Sequence, residues 1–191
     1  MFYTIAKALV RIAMTIAFNL HYEGRENIPK DTAVIYASNH RTNADPPLVG
    51  CVTPRKHAFM AKEELFKNKL FGGLIKLLGA FPVSRGKGDT GVIDTAVEAL
   101  ISGKSLMIFP EGTRSKDGKV HKGHSGAALI AARSGKPIIP VGIVFGEKLK
   151  FRTKVTVKYG KPINPADYCE ICDEPKPRQK VRLKNRYMSD I

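Results

Sequence analysis

His40 and Asp45 are the two residues whose types and spacing best suit proton transfer. Histidine is the side chain whose ordinary pKa, about 6.5, suits proton transfer near neutral pH. A histidine that acts as a base generally needs a carboxylate on its other ring nitrogen, which fixes the tautomer and the orientation of the ring. Because the pair lacks a nucleophile of its own, it favours a reaction in which a hydroxyl of the substrate attacks.

The local sequence decides whether these two side chains can meet. On one helix, a spacing of five residues would set them about 140° apart, on different faces. A short β-type run at 33–37 precedes His40, however, and Asp45 followed by two prolines is typical of a helix start with Asp as N-cap. A turn between that strand and that helix would bring the two together. The alternative is that His40 is a surface loop residue and Asp45 only an N-cap.

Two further segments have residues that could bind a phosphate or a hydroxyl group of a substrate. Arg85 lies in a glycine-flanked loop, and a guanidinium can make bidentate contacts to phosphate. The segment 109–115 turns at Gly112, where the absence of a side chain lets backbone N–H groups approach a ligand. Within it, Arg114 is a second candidate phosphate ligand, and Glu111 could accept from a glycerol hydroxyl or hold an arginine. The alternatives are a solvated arginine and a β-turn with exposed charges.

The elements that must position these residues alternate along the chain. The predicted strands are 33–37, 57–61, 81–83, 105–109, 138–144 and 154–159. The predicted helices are 66–78, 89–102 and 125–134, with a further helix that starts at Asp45. This alternation predicts an α/β fold, a single-domain αβα sandwich with a mixed, partly parallel sheet. In such sheets ligand sites gather where loops leave the strand ends, which is where the motifs lie.

Residues 1–22 form an apolar N-terminal segment that Lys7 and Arg11 interrupt. The uncharged stretch after Arg11 is too short for a spanning helix, which needs about 20 apolar residues. Because the two cations are four residues apart, they would share one side of a helix. The pattern therefore predicts a helix in the membrane interface with both cations toward lipid phosphates. The alternative is a first helix that packs on the core.

The chain is strongly basic, with a formal net charge of +15 from 32 Lys and Arg against 17 Asp and Glu. Such a charge predicts an anionic partner, which could be nucleic acid, acidic lipid or a phosphorylated substrate. The tail, 166–191, has six cations and no acid between Lys176 and Arg186. It is either a second electrostatic anchor to anionic lipid or a solvated helix. Tryptophan is absent and no nucleic-acid motif occurs, so nucleic acid is not the expected partner.

The three cysteines predict neither a disulfide framework nor a metal centre. A small, odd number of cysteines is typical of a reducing compartment. Cys169 and Cys172 have the spacing of half a zinc site, but a structural zinc needs four ligands and the sequence has no second pair. We therefore expect no metal.

Taken in order, four segments resemble the phospholipid/glycerol acyltransferase family. They are Asn39-His40 with Asp45, Gly79 with Phe81 and Arg85, Phe109 through Ser115, and Ile139-Pro140-Val141. The resemblance runs from Asn39 to Val144, and the Phe-Pro-Glu-Gly-Thr-Arg-Ser segment is intact. The second segment departs from the family pattern by one residue, because Phe81 follows Gly79 by two positions instead of three.

The resemblance implies direct acyl transfer at a membrane surface. His40, oriented by Asp45, would take the proton from the sn-2 hydroxyl of 1-acylglycerol 3-phosphate. The alkoxide would then attack an acyl thioester of acyl carrier protein or coenzyme A, without an acyl-enzyme, to give phosphatidic acid. No metal or organic cofactor is implied. The chain would lie on the cytoplasmic face of the cell membrane, as a peripheral protein with its catalytic domain at 23–165.

The resemblance also implies a substrate site, in which the two arginines hold the acceptor phosphate. The oxyanion would be stabilised by the backbone around Gly112 or by the Lys62 ammonium. The residues implied in substrate binding are Lys62, Arg85, Glu111, Gly112, Thr113 and Arg114. The open alternatives are another acceptor (glycerol 3-phosphate, another lysophospholipid or a lyso-ornithine lipid) and a non-catalytic basic protein that binds lipid or nucleic acid.

Overall fold

A seven-stranded sheet forms the centre of the computed structural model, which describes residues 2–83 and 90–167. Its strands follow the spatial order β1-β7-β6-β2-β5-β3-β4. Neighbouring strands are parallel except for β6 and β7, which are antiparallel. The chain thus has the predicted mixed α/β fold, with a mostly parallel sheet. The strands are β1 Asn19–Glu23, β2 Ile35–Ser38, β3 His57–Lys62, β4 Ala80–Val83, β5 Ser105–Ile108, β6 Ile138–Val144 and β7 Lys154–Tyr159.

Helices cover both faces of the sheet. Successive residues of a strand point to opposite faces, and the neighbours Ile35 and Tyr36 of β2 accordingly belong to different core clusters. The Tyr36 cluster packs under α1 and α2, whereas the Ile35 cluster packs under α4 and α5. This arrangement is the one expected of right-handed crossovers between parallel strands. The helices are α1 Phe2–Ala17, α2 Asp45–Gly50, α3 Lys69–Leu77, α4 Thr90–Ile101 and α5 Gly126–Ser134.

The helix α3 lies on the same face as α1 and α2. Its Ile75 packs with Ala61 of β3 and Ala80 of β4 in a small cluster that Phe59 also contacts. Phe59 packs against the Tyr36 cluster as well, while its neighbour Ala58 faces the opposite side. One layer of the protein therefore consists of α1, α2 and α3.

The N-terminal segment differs from the prediction in two respects. The helix α1 ends at Ala17, and the next residues form β1, which pairs in parallel with β7. Lys7 does not face outward with Arg11: it is half-buried, and its Nζ donates to the backbone oxygen of Thr53. The prediction that both cations point toward lipid phosphates is therefore wrong for Lys7. Among the described residues, no helix is long and apolar enough to cross a membrane.

Two faces of α1 have different environments. Val10 and Met14 pack against the core, in line with the alternative that this helix belongs to the body of the protein. The opposite side exposes four apolar residues at intervals of four, three and four, namely Ile5, Leu9, Ile12 and Ile16. The helix thus has two apolar sides: one packs on the core, and the other is an apolar stripe exposed to the surroundings.

Several predicted features lie outside the described residues. They are Arg85, the two cysteines Cys169 and Cys172, and the basic tail from residue 168 onward. The predictions on phosphate binding by Arg85, on the absence of a metal and on a lipid anchor in the tail stay predictions.

Candidate active site

His40 lies just beyond the carboxyl end of β2, in the turn that leads to α2. Its Nδ1 is 2.8 Å from Oδ2 of Asp45, the first residue of α2. The Asp45 side chain is fully buried, whereas 14% of the His40 side chain is exposed. The strand–turn–helix layout expected from the sequence therefore brings the two side chains together.

Asp45 is held by the turn rather than by the helix that it opens. Its Oδ2 accepts from the backbone N–H groups of Arg41 at 2.6 Å and Thr42 at 2.8 Å, and its Oδ1 accepts from the Thr42 hydroxyl at 2.7 Å. The N-cap position of α2 belongs to Ala44, so the prediction of Asp45 as N-cap is wrong. The carboxylate thereby satisfies two backbone N–H groups of a turn that belongs to neither strand nor helix.

The orientation of the His40 ring follows from its two neighbours. A carboxylate on Nδ1 favours the tautomer that carries its proton there, which leaves the lone pair of Nε2 as a proton acceptor. The ring of Phe109 stacks on the imidazole, with centroids 4.1 Å apart and planes inclined by 20°. These contacts fix both the tautomer and the plane of the ring, as a general base requires.

Glu111 holds the main chain of His40 instead of facing a ligand. One of its oxygens accepts from the His40 N–H at 3.1 Å, and the other accepts from the His121 N–H at 3.3 Å. Ser115 N–H in turn donates to the His40 oxygen at 2.7 Å. Glu111 is only 8% exposed. Within the described part of the chain these contacts make it a positioning residue, which differs from the expected contact with a glycerol hydroxyl or an arginine.

Gly112 shapes the turn that follows Glu111. Its φ is +69°, and a Cβ there would come within 3.2 Å of the His124 ring, so a side chain would be strained. Its N–H donates to the Phe109 oxygen at 3.0 Å. That N–H is consequently engaged within the turn, and the expectation that the backbone around Gly112 stabilises an oxyanion stays a prediction.

Three other predicted residues line one cavity with His40. Thr113 and Arg114 are exposed in the turn, and Lys62 is exposed at the carboxyl end of β3. Arg114 donates to the side-chain oxygen of Asn43 at 3.0 Å, which tethers its guanidinium near the His40 turn. Cationic side chains from two separate strand ends thus line the same cavity as His40.

Asn39 is a functional residue to which the sequence reasoning assigned no role. Its amide nitrogen donates to the Ile143 oxygen at 3.0 Å, and its amide oxygen accepts from the Ile143 N–H at 2.7 Å. This pair of bonds ties the residue before His40 to β6. The sequence signal that could have identified Asn39 is its position directly before the histidine, at the end of a predicted strand.

The cavity has a volume of about 1330 Å³ and is lined by residues of α1, α2 and α3 and also by residues of α4 and α5 in the opposite layer. Apolar side chains from α1 and α3 supply much of its wall, among them Val10, Met14, Phe71 and Ile75. Polar lining residues include His40, Arg114 and Lys62, and also Tyr3 and Lys7 of α1 and His57 beneath it. A cavity of this size and polarity suits a ligand with a long apolar part and one polar end.

The fold and the site define an α/β protein in which a buried carboxylate orients a histidine at the wall of a large, mostly apolar cavity. The family model described as Acyltransferase matches residues 19–144. The chain belongs to this family and is an acyl-transfer enzyme.

Three comparisons illustrate the relationship. A 1-acyl-sn-glycerol-3-phosphate acyltransferase of Streptococcus pneumoniae is 37% identical over 91% of this chain and 67% of that protein. A protein of the same name from Bacillus subtilis is 30% identical over 88% of this chain and 86% of its own length. The crystal structure of the 1-acyl-sn-glycerophosphate acyltransferase PlsC from Thermotoga maritima superposes with a TM-score of 0.74 at 31% identity, over 92% of this chain and 73% of that one.

Proposed function

We propose that the protein transfers a fatty acyl group to the sn-2 hydroxyl of 1-acylglycerol 3-phosphate, giving phosphatidic acid in phospholipid biosynthesis. The observation that carries the proposal is the His40–Asp45 pair, with Nδ1 and Oδ2 2.8 Å apart, in which His40 lines a large, mostly apolar cavity. The names of the two bacterial relatives support this choice of acceptor.

The reaction needs one base and one acid, and His40 supplies both. Its Nε2 accepts the proton of the acceptor hydroxyl as that oxygen attacks the thioester carbonyl. The resulting imidazolium is stabilised by the Asp45 carboxylate on Nδ1. When the C–S bond breaks, the leaving thiolate takes the proton from Nε2, which restores the neutral imidazole. The acyl group passes directly to the acceptor, and the scheme requires no metal or organic cofactor.

The cationic residues of the cavity suit the two negative charges of the reaction, the acceptor phosphate and the developing oxyanion. Arg114 and Arg85 are the proposed ligands of the acceptor phosphate, and the bond from Arg114 to Asn43 supports the first of them. Lys62, at the end of the adjacent strand, and the backbone around Gly112 are the proposed donors to the developing oxyanion. Thr113 completes the exposed part of this polar surface.

Acyl carrier protein and coenzyme A are both proposed donors, since both are acidic and the chain has a net charge of +15. The apolar stripe of α1 suits the surface of a bilayer, where a long-chain acceptor resides. We accordingly place the protein on the cytoplasmic face of the cell membrane as a peripheral enzyme.

Thiol release from an acyl thioester, with and without 1-acylglycerol 3-phosphate, tests the proposal. We expect release to depend on the acceptor in the wild type. His40→Ala should lower kcat by about 100-fold to 10,000-fold, the usual contribution of a general base. His21→Ala is the matched control, because His21 is exposed on the edge strand β1 and should leave the rate unchanged.

A panel of acceptors decides between the alternatives. Faster turnover with glycerol 3-phosphate, another lysophospholipid or a lyso-ornithine lipid would reassign the acceptor and keep the base. No release with any acceptor and either donor type would refute the proposed enzyme activity.

A further inference from the structure

The helix α3 presents an apolar surface that neither the core nor the cavity uses. Leu70 is 89% exposed and Leu77 is 62% exposed, and Leu74 is exposed between them. We propose that this Leu70–Leu74–Leu77 stripe is a second membrane-docking surface, which lies on an anionic bilayer together with the apolar stripe of α1. The inference rests on the proposed function, since it concerns how the enzyme meets a bilayer-borne acceptor.

The stripe is a feature of a well-formed helix. The Asn68 side chain caps α3 by accepting from the backbone N–H groups of Leu70 and Phe71 at 3.1 and 3.0 Å. Ile75 fixes the opposite side of the helix in the core. The leucines therefore face away from the sheet as a consequence of regular helical geometry, with spacings of four and three residues that form one continuous face.

The apolar stripes of α1 and α3 belong to helices of the same layer. Both helices pack against the same face of the sheet, α1 through Val10 and Met14 and α3 through Ile75. Both also line the cavity that holds His40, α3 through Phe71 and Ile75. A bilayer that contacts both helices would therefore lie next to the cavity from which a lysolipid acyl chain must be drawn.

The charges around the stripe favour an anionic bilayer over a second copy of this chain. Lys67, Lys69 and Lys76 are exposed, and no acidic residue occurs between Phe66 and Val83. Lys69 and Lys76 are seven residues apart, so they lie on one flank of the stripe, where their ammonium groups can reach lipid phosphates. In a symmetric dimer through α3 the same lysines would approach one another, and like charges would oppose the contact.

Binding of the full chain to sedimenting vesicles of phosphatidylglycerol or of phosphatidylcholine tests the proposal. The double variant Leu70→Gln/Leu77→Gln removes the stripe without touching the cavity wall. Its partition coefficient should fall by about tenfold or more, because two leucine side chains no longer enter the bilayer. The control Ile101→Gln removes an exposed apolar residue from the opposite layer and should bind like the wild type.

A second variant and a second readout separate the outcomes. Lys69→Gln/Lys76→Gln should weaken binding to phosphatidylglycerol vesicles and leave binding to phosphatidylcholine unchanged. Turnover of a short-chain, monomeric acceptor should be the same in wild type and both double variants, and a loss of this turnover in the leucine variant would overturn a role confined to docking. The acceptor panel tests the proposed function separately, so that its failure is distinguishable from a failure of vesicle binding. Unchanged vesicle binding in the leucine variant would overturn the docking surface, as would a leucine variant that changes only the oligomeric state in light scattering.

Discussion

At the scale of single residues, the imidazole of His40 is fixed from three directions. Asp45 bonds Nδ1, Phe109 stacks on the ring, and Glu111 and Ser115 hold the N–H and the oxygen of the same residue. The motif at 109–115 therefore acts in part through the backbone of the residue that it surrounds. A loss of catalysis on its mutation does not by itself indicate contact with substrate.

Glu111→Gln distinguishes positioning from substrate binding. The amide would keep one acceptor oxygen but would point an NH₂ group at one of the two backbone N–H groups. Losing a buried hydrogen bond to a charged group costs about 1.5–3 kcal/mol. We expect kcat to fall by about tenfold or more through displacement of His40, with little change in the KM for the acceptor. Steady-state kinetics checks this.

Glu98→Gln, an exposed change on α4, is the control for charge removal. A Glu111→Gln enzyme with an unchanged kcat and a raised acceptor KM would restore the role that was first expected of Glu111, a direct contact with the glycerol moiety.

At the scale of elements, the passage from α3 into β4 depends on one glycine. Gly79 has a φ of +100°, and a Cβ there would lie 2.0 Å from the His57 backbone oxygen. The oxygen of Gly79 also accepts from the Phe59 N–H at 3.1 Å. The close approach of β3 and β4 at this point therefore excludes any side chain.

Gly79→Ala should lower the free energy of unfolding by more than about 3 kcal/mol. Alanine disfavours the positive φ at this position, and its Cβ would overlap the His57 oxygen. Gly73→Ala is the matched control within α3, where a Cβ would meet nothing within 4 Å. It should stabilise the protein by about 0.5–1 kcal/mol, the usual preference for alanine within a helix. Urea unfolding measures both, and equal effects of the two changes would contradict this account.

At the scale of the whole molecule, stability should depend on pH through a buried histidine beneath α1. Burial, helped by the nearby Lys7 charge, lowers the pKa of His57 to about 3. Its Nε2 contacts the Thr53 hydroxyl, which donates to the Gly50 oxygen at 2.9 Å, so that Nε2 carries the proton. Within the described part of the chain its Nδ1 is buried without a partner. The folded protein therefore holds this ring neutral.

The sign of the effect follows from linkage. Between pH 3 and the ordinary pKa of 6.5, the unfolded chain binds a proton at His57 that the folded protein does not bind. The contribution of the neutral His57 to the free energy of unfolding is thus fully present above pH 6.5. It is lost as the pH falls, by about 1.4 kcal/mol per pH unit. We expect His57→Gln to flatten the pH dependence of the free energy of unfolding between pH 4 and 7. A variant whose slope equals that of the wild type would show that other groups cause the acid sensitivity.

The sequence predicted much of the sheet from local hydrophobic patterns. The strands 138–144 and 154–159 have the predicted bounds, and α5 begins one residue later than predicted. The strand β1 was missed, and all of its residues except Glu23 were assigned to the N-terminal helix. An edge strand of five residues with alternating exposure has little hydrophobic signal of its own, and pairing with β7 from far along the chain decides its structure.

The sequence by itself determined which chemistry this protein can do, because His40, Asp45 and the motif at 109–115 are set by residue type and short spacing. Only the tertiary structure decided how that chemistry is arranged. In the folded protein Lys7 points inward, and Glu111 bonds the backbone of His40. The helices α1 and α3 lie in one layer, and both line the cavity. The physical reason is that these contacts join residues far apart in the chain, so that their partners depend on packing and hydrogen-bond satisfaction in the folded state and not on local pattern.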